Sequence, residues 1–225
     1  MRFKDVFSII GPDMVGPSSS HTAGAVRIGR AARQFFGPLP ERVEITLFRS
    51  FAETYRGHGT DVALAAGLLD WDTQDERIPE ALQHAAGLGV NIEFFPAHGD
   101  FAEAPHPNTA RLRMTAGDRT MTVTGTSIGG GNIEIVGVDG FDVRCSCSYP
   151  TLAIYHDDRV GMLADITRLI SQCSLNIGHM DVDRASRSGK ALTLIEADGR
   201  FEKELVEALR ALPGVTSIRT VDLTG

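Results

Sequence analysis

Along the chain, apolar positions alternate between two rhythms, and each switch marks an element. From Val26 to Phe36 they fall at helical spacing (Val26, Ile28, Ala31, Ala32, Phe35, Phe36), with Arg27, Arg30 and Arg33 on the polar side and Gly37-Pro38 as the stop. Alternation of Val43, Ile45 and Leu47 then predicts a strand over 41–48. Two helices are expected over 61–69 and 78–88, followed by a strand over 90–95. Short strands are expected at 110–114, 120–126, 133–138 and 141–147, with Asp139-Gly140 as a hairpin turn between the last two. The fold class these patterns imply is α/β (α+β), with a largely antiparallel sheet.

After Pro150 the rhythm changes. A strand over 151–155 precedes a helix over 161–173, with Met162, Leu163, Ile166, Leu169 and Ile170 on one side. Strands over 175–185 and 191–197, a helix over 201–212 and a strand over 215–221 complete the order βαββαβ, a ferredoxin-like unit. Two domains are therefore expected, 1–148 and 151–225, joined by a short linker at 148–150.

Composition removes whole classes of function. At 225 residues, 42% hydrophobic and 23% charged, the chain is globular and long enough to bury a core. A net charge of −7 argues against nucleic acid as a partner. No apolar run approaches the ~18 residues of a membrane span, so no membrane partner is expected. The opening MRFKDVFSIIG contains an acidic residue and no long apolar run, which is unlike a signal peptide. Three cysteines suit a reducing compartment better than a disulfide framework, so the expected location is cytoplasmic.

Four short motifs stand at element edges, where chemistry is usually placed. Ser18-Ser19-Ser20-His21-Thr22 opens the first helix with more hydroxyls than one cap can use. Hydroxyls and free N–H groups converge there on the positive end of the helix dipole, which suits a carboxylate or phosphate. His21 could donate to that anion or move a proton, while a plain reading makes the cluster an over-capped helix with a solvent histidine. Gly57-His58-Gly59-Thr60-Asp61 frees an imidazole between two glycines, a natural general base, with Asp61 either orienting that ring or capping the next helix. His106-Pro107-Asn108-Thr109 and Ser127-Ile128-Gly129-Gly130-Gly131 are further candidates. The triple glycine could cradle an anion or form a bulge between strands, and it has the spacing of neither a P-loop nor a dinucleotide fingerprint.

Taken together, GPSSSHTAGAVRIGR, SFAETYRGHGTDVALAAGLLD, HPNT and SIGGG resemble, in that order, the β chains of the two-chain iron–sulfur-dependent L-serine dehydratases (L-serine ammonia-lyases). The stretch HDDRVGMLADITRLISQCSLNIGHMDV resembles an ACT domain, with Asp158, Gly161 and Leu163 matching its first loop and Asn176 and Ile177 its second strand. The first resemblance implies conversion of L-serine to pyruvate and ammonia by an enzyme carrying a [4Fe–4S] cluster. Since a cluster needs several thiolates and only Cys145, Cys147 and Cys173 are present, it also implies that the ligands lie on an α chain and no metal ligand lies here. The expected partners are that α subunit, a small amino acid (L-serine), and a second copy of this chain through the ACT domain. The site residues implied are His21 and His58 as catalytic, with Ser18, Ser19, Ser20, Thr22, Asp61, His106, Asn108 and Ser127 binding substrate. Which histidine is the base stays open, as does whether the ACT region senses an amino acid or only holds a dimer together. The alternative function is a stand-alone amino-acid-sensing protein without catalysis.

Overall fold

In the computed structural model, residues 13–97, 99, 104, 106–186 and 189–224 are described. The N-terminal stretch judged unlike a signal peptide, residues 1–11, lies outside them. Two compact units divide after Ile135.

The first unit carries a five-stranded mixed sheet in the order β2-β1-β3-β4-β5. Its strands are β1 (Arg42–Phe48), β2 (Asn91–Ala97), β3 (Thr109–Ala116), β4 (Arg119–Gly129) and β5 (Asn132–Val138). β1 pairs parallel with β2 and antiparallel with β3, and β3 pairs antiparallel with β4. Alternation explains β1: Val43, Ile45 and Leu47 are fully buried while Glu44 and Thr46 between them stay half-buried on the other face.

Helix α1 (Gly24–Phe36) covers the sheet, and all six residues assigned to its apolar face are fully buried. Arg30, placed on the polar face by its spacing, is buried as well, because Asp70 and Asp72 reach its guanidinium at 3.3 and 3.4 Å. A five-residue helix, α2 (Ser50–Thr54), follows β1, and α3 (Thr60–Leu68) packs on α1. The expected 78–88 helix is a 3₁₀ turn (Ile78–Glu80) running into α4 (Ala81–Gly87). α3 is apolar over most of its length and buried except at Asp61 and Val62.

The strand expected over 141–147 does not form. Asp139 (φ 51°) and Gly140 (φ 83°) do make the turn, closed by paired Val138 and Phe141 backbone bonds, but beyond them only an isolated bridge at Cys145 follows. The amides of Asp142 and Arg144 instead donate to the carboxylates of Asp183 and Asp181, both at 2.8 Å. Side chains thus take the donors that a strand partner would have used.

The second unit has β6 (Thr151–Asp157), α5 (Met162–Gln172), β7 (Ile177–Arg184), β8 (Lys190–Ala197), α6 (Lys203–Arg210) and β9 (Val215–Val221). The sheet order is β7-β8-β6-β9, with β6 antiparallel to β8 and β9 and β7 antiparallel to β8, which is the ferredoxin-like topology. Leu152, Ile154, Ile166, Ile170, Ile195 and Leu209 form the centre of its core.

The tightest packing in the first unit is backbone against backbone. A Cβ on Gly67 of α3 would overlap the Val26 carbonyl and lie 2.6 Å from the Arg30 nitrogen, and one on Gly29 of α1 would lie 2.5 Å from the Leu64 carbonyl. Gly67→Ala should therefore destabilise the chain by at least the ~1–3 kcal/mol of an overpacked core, since neither backbone can yield. Thermal melting measures it, and a melting temperature within a degree of the parent's would refute the close approach.

Candidate functional site

The serine cluster folds into a π-helical turn, Ser19–Ala23, set directly on the start of α1. Ser18 is extended (φ −141°, ψ 124°) and caps it: the Ser18 hydroxyl accepts from the His21 amide at 3.1 Å, and the Ser18 carbonyl accepts from both Thr22 and Ala23 amides. One hydroxyl is thus used as a cap, and the others are surplus to capping. The wide turn presents the His21 ring sideways, where its Nε2 lies 3.1 Å from Ser50 Oγ and its Nδ1 3.5 Å from Ser18 Oγ.

His58 comes from the turn before α3. Gly59, with φ 66°, supplies the left-handed residue that this reversal requires. The His58 amide donates to the Thr54 carbonyl at 3.0 Å, and the His58 carbonyl accepts from the Thr22 hydroxyl at 3.2 Å. The two imidazoles meet edge to face, with centroids 4.7 Å apart and planes at 73°. Phe51 of α2 packs on His21 from another side, at 5.3 Å.

The other motifs close in through backbone. The Asn108 carbonyl accepts from the Ser127 amide at 2.9 Å, and the Asn108 amide donates to His106 Nδ1 at 3.2 Å. The Phe51 amide donates to the Pro107 carbonyl, tying α2 to the same loop. Ser127 Oγ lies against Gly24, where any Cβ would overlap it, and Gly129 faces Ser20 Oγ. Gly129, Gly130 and Gly131 have φ of 96°, 62° and 75° and turn β4 into β5. Ser18, Ser20, His21, Thr22, His58, His106, Asn108 and Ser127 therefore gather around one corner of the first unit. Ser19 contributes its carbonyl to the Gly24 amide. Asp61 turns elsewhere: its Oδ1 accepts from the Val62 amide at 2.9 Å, and it lines a separate hollow with Tyr55, Arg56 and Leu82.

Three buried polar atoms of this region have no hydrogen-bond partner: His58 Nδ1, Thr60 Oγ1 and Ser127 Oγ. Burial, and after it the neighbouring His58, hold the His21 ring below the ordinary histidine value, so it is neutral near pH 7. Ser50 and Phe51 are the residues that sequence reasoning passed over. Their motif was visible, but the partner of Ser50 lies 29 residues upstream and nothing local announces it.

In the second unit, Asp158, Gly161 and Leu163 line a cavity of about 760 Å³ with His156, Arg159 and Arg184. Asn176 and Ile177 line a different hollow, of about 510 Å³, beside Thr167 and Arg168. Cys145 and Cys147 are buried with Sγ atoms 3.5 Å apart, and the hydrogen bond to Cys147 together with burial pushes the Cys145 thiol well up. Cys173 is exposed at the end of α5. Among the described residues no group of three or more His, Cys, Asp or Glu could hold a metal ion. No helix among them is long and apolar enough to cross a membrane.

Residues 3–136 match the family model described as serine dehydratase beta chain. Over 221 residues (98% of this chain and 99% of the other) the sequence is 45% identical to the Bacillus subtilis (strain 168) protein named "Probable L-serine dehydratase, beta chain". It is 30% identical over 218 residues (96% and 97%) to the L-serine dehydratase, beta chain, of Peptoniphilus asaccharolyticus. Among solved structures, the ACT domain from GTP pyrophosphokinase of Chlorobium tepidum is 23% identical, covering 32% of this chain and 96% of that one with a TM-score of 0.27.

The depressed His21 value fixes the sign of a pH effect. Below about 6.5 the unfolded chain binds a proton that the folded ring resists, so stability from this site is complete above that value and is lost as pH falls beneath it. Melting temperature should fall on acidification from about pH 7.5 to 5.5, less steeply in His21→Gln than in the parent. Parallel curves would show that another group carries the slope.

Proposed function

The chain belongs to the serine dehydratase β-chain family, and on that premise we propose that it acts as the β subunit of an L-serine ammonia-lyase, converting L-serine to pyruvate and ammonia together with an α chain. The observation that supports a direct part in the chemistry is the His21–His58 contact at 4.7 Å beside a hydroxyl-rich helix start. A sensor of amino acids needs donors for a carboxylate, not two imidazoles in contact, so the stand-alone sensing alternative is not favoured.

The residues divide the work by their surroundings. Ser19 and Ser20, with the N-terminal end of the turn that leads into α1, hold the substrate carboxylate, since unused hydroxyls and amides converge there on positive dipole. Ser127, His106 and Asn108 line the same corner. The Cα proton of serine is weakly acidic and its removal needs a neutral base held in register with it. Both ring nitrogens of His21 are engaged by hydroxyls, whereas among the described residues no hydrogen bond engages the His58 ring, whose Nδ1 is buried. His58 accordingly takes the Cα proton and His21 orients it. Loss of the β-hydroxyl then leaves aminoacrylate, whose imine tautomer is hydrolysed to pyruvate and ammonia.

The family implies an iron–sulfur enzyme, and this chain's cysteines do not fit such a cluster. A [4Fe–4S] centre takes several thiolates, but Cys145 is held protonated beside Cys147 and Cys173 stands apart on the surface. We place the cluster ligands on the α chain, and assign no step of the reaction to the cluster through residues of this one. Self-association through the ACT domain, a cytoplasmic location and a domain division at 1–148 and 151–225 belong to the same proposal.

Co-expression with the α chain under anaerobic conditions, followed by a pyruvate assay on L-serine, tests the assignment. Activity from this chain alone would refute it. His58→Ala should lower turnover by ~10²–10⁴-fold while leaving assembly intact. Replacing both Ser19 and Ser20 by Ala should cost ~1.5–3 kcal/mol for each lost bond to the carboxylate, read as at least a tenfold fall in kcat/KM with little change in melting. A melting shift of about 1 kcal/mol with unchanged kinetics would instead return the serines to a capping role.

A further inference from the structure

His21 is held on its Nε2 side by Ser50, a residue with no place yet in the chemistry. Ser50 opens α2 directly after Arg49, whose φ of 47° and ψ of −118° form a conformation that a residue with a Cβ rarely holds. Such strain persists where surrounding structure over-determines it, and it gathers at functional sites. Resting on the reading above, we propose that Ser50 is a positioning residue, whose hydroxyl fixes the rotation of the His21 ring and, through the contact of that ring's edge, the orientation of His58.

A closed circuit of hydrogen bonds carries the claim. Ser50 Oγ meets His21 Nε2 at 3.1 Å, and the adjacent Thr22 hydroxyl donates to the His58 carbonyl at 3.2 Å. The His58 amide donates to the Thr54 carbonyl at 3.0 Å, and the Thr54 hydroxyl donates back to the Ser50 carbonyl at 2.7 Å. Both histidines thus hang on one loop of bonds that begins and ends at Ser50. The two hydroxyls on the His21 ring are not equivalent. Ser18 reaches Nδ1 only at 3.5 Å and already accepts from the His21 amide, so the 3.1 Å contact to Ser50 is the stronger restraint. A hydroxyl can donate to Nε2 or accept from it, so the contact restrains the rotation of the ring in either tautomer.

The test uses Ser50→Ala, with Ser50→Cys as a second variant should the first fold poorly, and Ser50→Thr to restore the hydroxyl. In the enzyme reconstituted with the α chain, Ser50→Ala should lower kcat by roughly 10–100-fold with KM for L-serine nearly unchanged, as a misoriented base does. Ser50→Thr should recover most of the loss. In the isolated full chain labelled with ¹⁵N-histidine, Ser50→Ala should change the separation of the two His21 ring nitrogen resonances, and Ser50→Thr should restore it. Ring resonances that stay as in the parent overturn the proposal, as does a changed ring with unaltered kcat, or a loss that Ser50→Thr does not recover. Near-normal turnover in His58→Ala would sink the proton-transfer reading alone, because the ring resonances still decide whether Ser50 holds the His21 ring.

Discussion

The contact on which the first unit depends is the meeting of two helix backbones at Gly29 and Gly67. Helices usually pack through side chains at 8–10 Å between axes. Here the Val26 and Leu64 carbonyls stand where side chains would otherwise be, so α1 and α3 lie as close as their backbones permit. That proximity is what brings the chain just before each helix to the same place. His21 lies in the turn leading into α1 and His58 in the turn leading into α3, and close helices put their rings in contact. The sheet registers α1 from below, where Gly125 of β4 leaves room for Ile28 and Gly24 leaves room for Ser127. Site geometry is therefore a consequence of core packing, not a loop arrangement added to it.

The same placement sets the electrostatics. Burial first, and the neighbouring His58 after it, disfavour charging the His21 ring. A helix N-terminus also disfavours an imidazolium and favours an anion. One feature of the fold therefore serves both a neutral His21 ring and a bound carboxylate. The second unit shows a related economy with carboxylates. Asp181 and Asp183 of β7 accept amides from the segment after the Asp139-Gly140 turn, and Glu196 of β8 accepts from Ser146.

What the sequence revealed follows from how local each cause is. α1, α3 and the ACT region were legible because their apolar periodicity is carried by neighbouring residues, and the whole βαββαβ order could be read from it. The segment 141–147 was misread because its amides are satisfied by side chains some forty residues away, which no periodicity records. Arg30 looked like a surface residue until Asp70 and Asp72 were brought over it by the α1–α3 packing. At the site, the excess of hydroxyls and the two freed histidines could be read as chemistry from spacing alone. The π-helical form of the serine turn, the side-by-side rings and the role of Ser50 could not, because each depends on a partner that only the fold supplies.

The unsatisfied atoms weigh the proposed site against a merely over-capped helix. A buried polar group without a partner costs about 1–3 kcal/mol, and a folded chain retains few of them. Here His58 Nδ1, Thr60 Oγ1 and Ser127 Oγ belong to two of the four motifs singled out at element edges. A helix that needed only a cap would have used Ser18 and stopped, and Ser127 could have been alanine in the same space. Polar atoms kept at that cost, next to the His21–His58 pair and a helix start with unused hydroxyls, fit a place built for more than a cap. The cysteines point the same way by contrast. Cys145 and Cys147 satisfy one another within the fold, whereas His58 Nδ1, Thr60 Oγ1 and Ser127 Oγ find no partner in it.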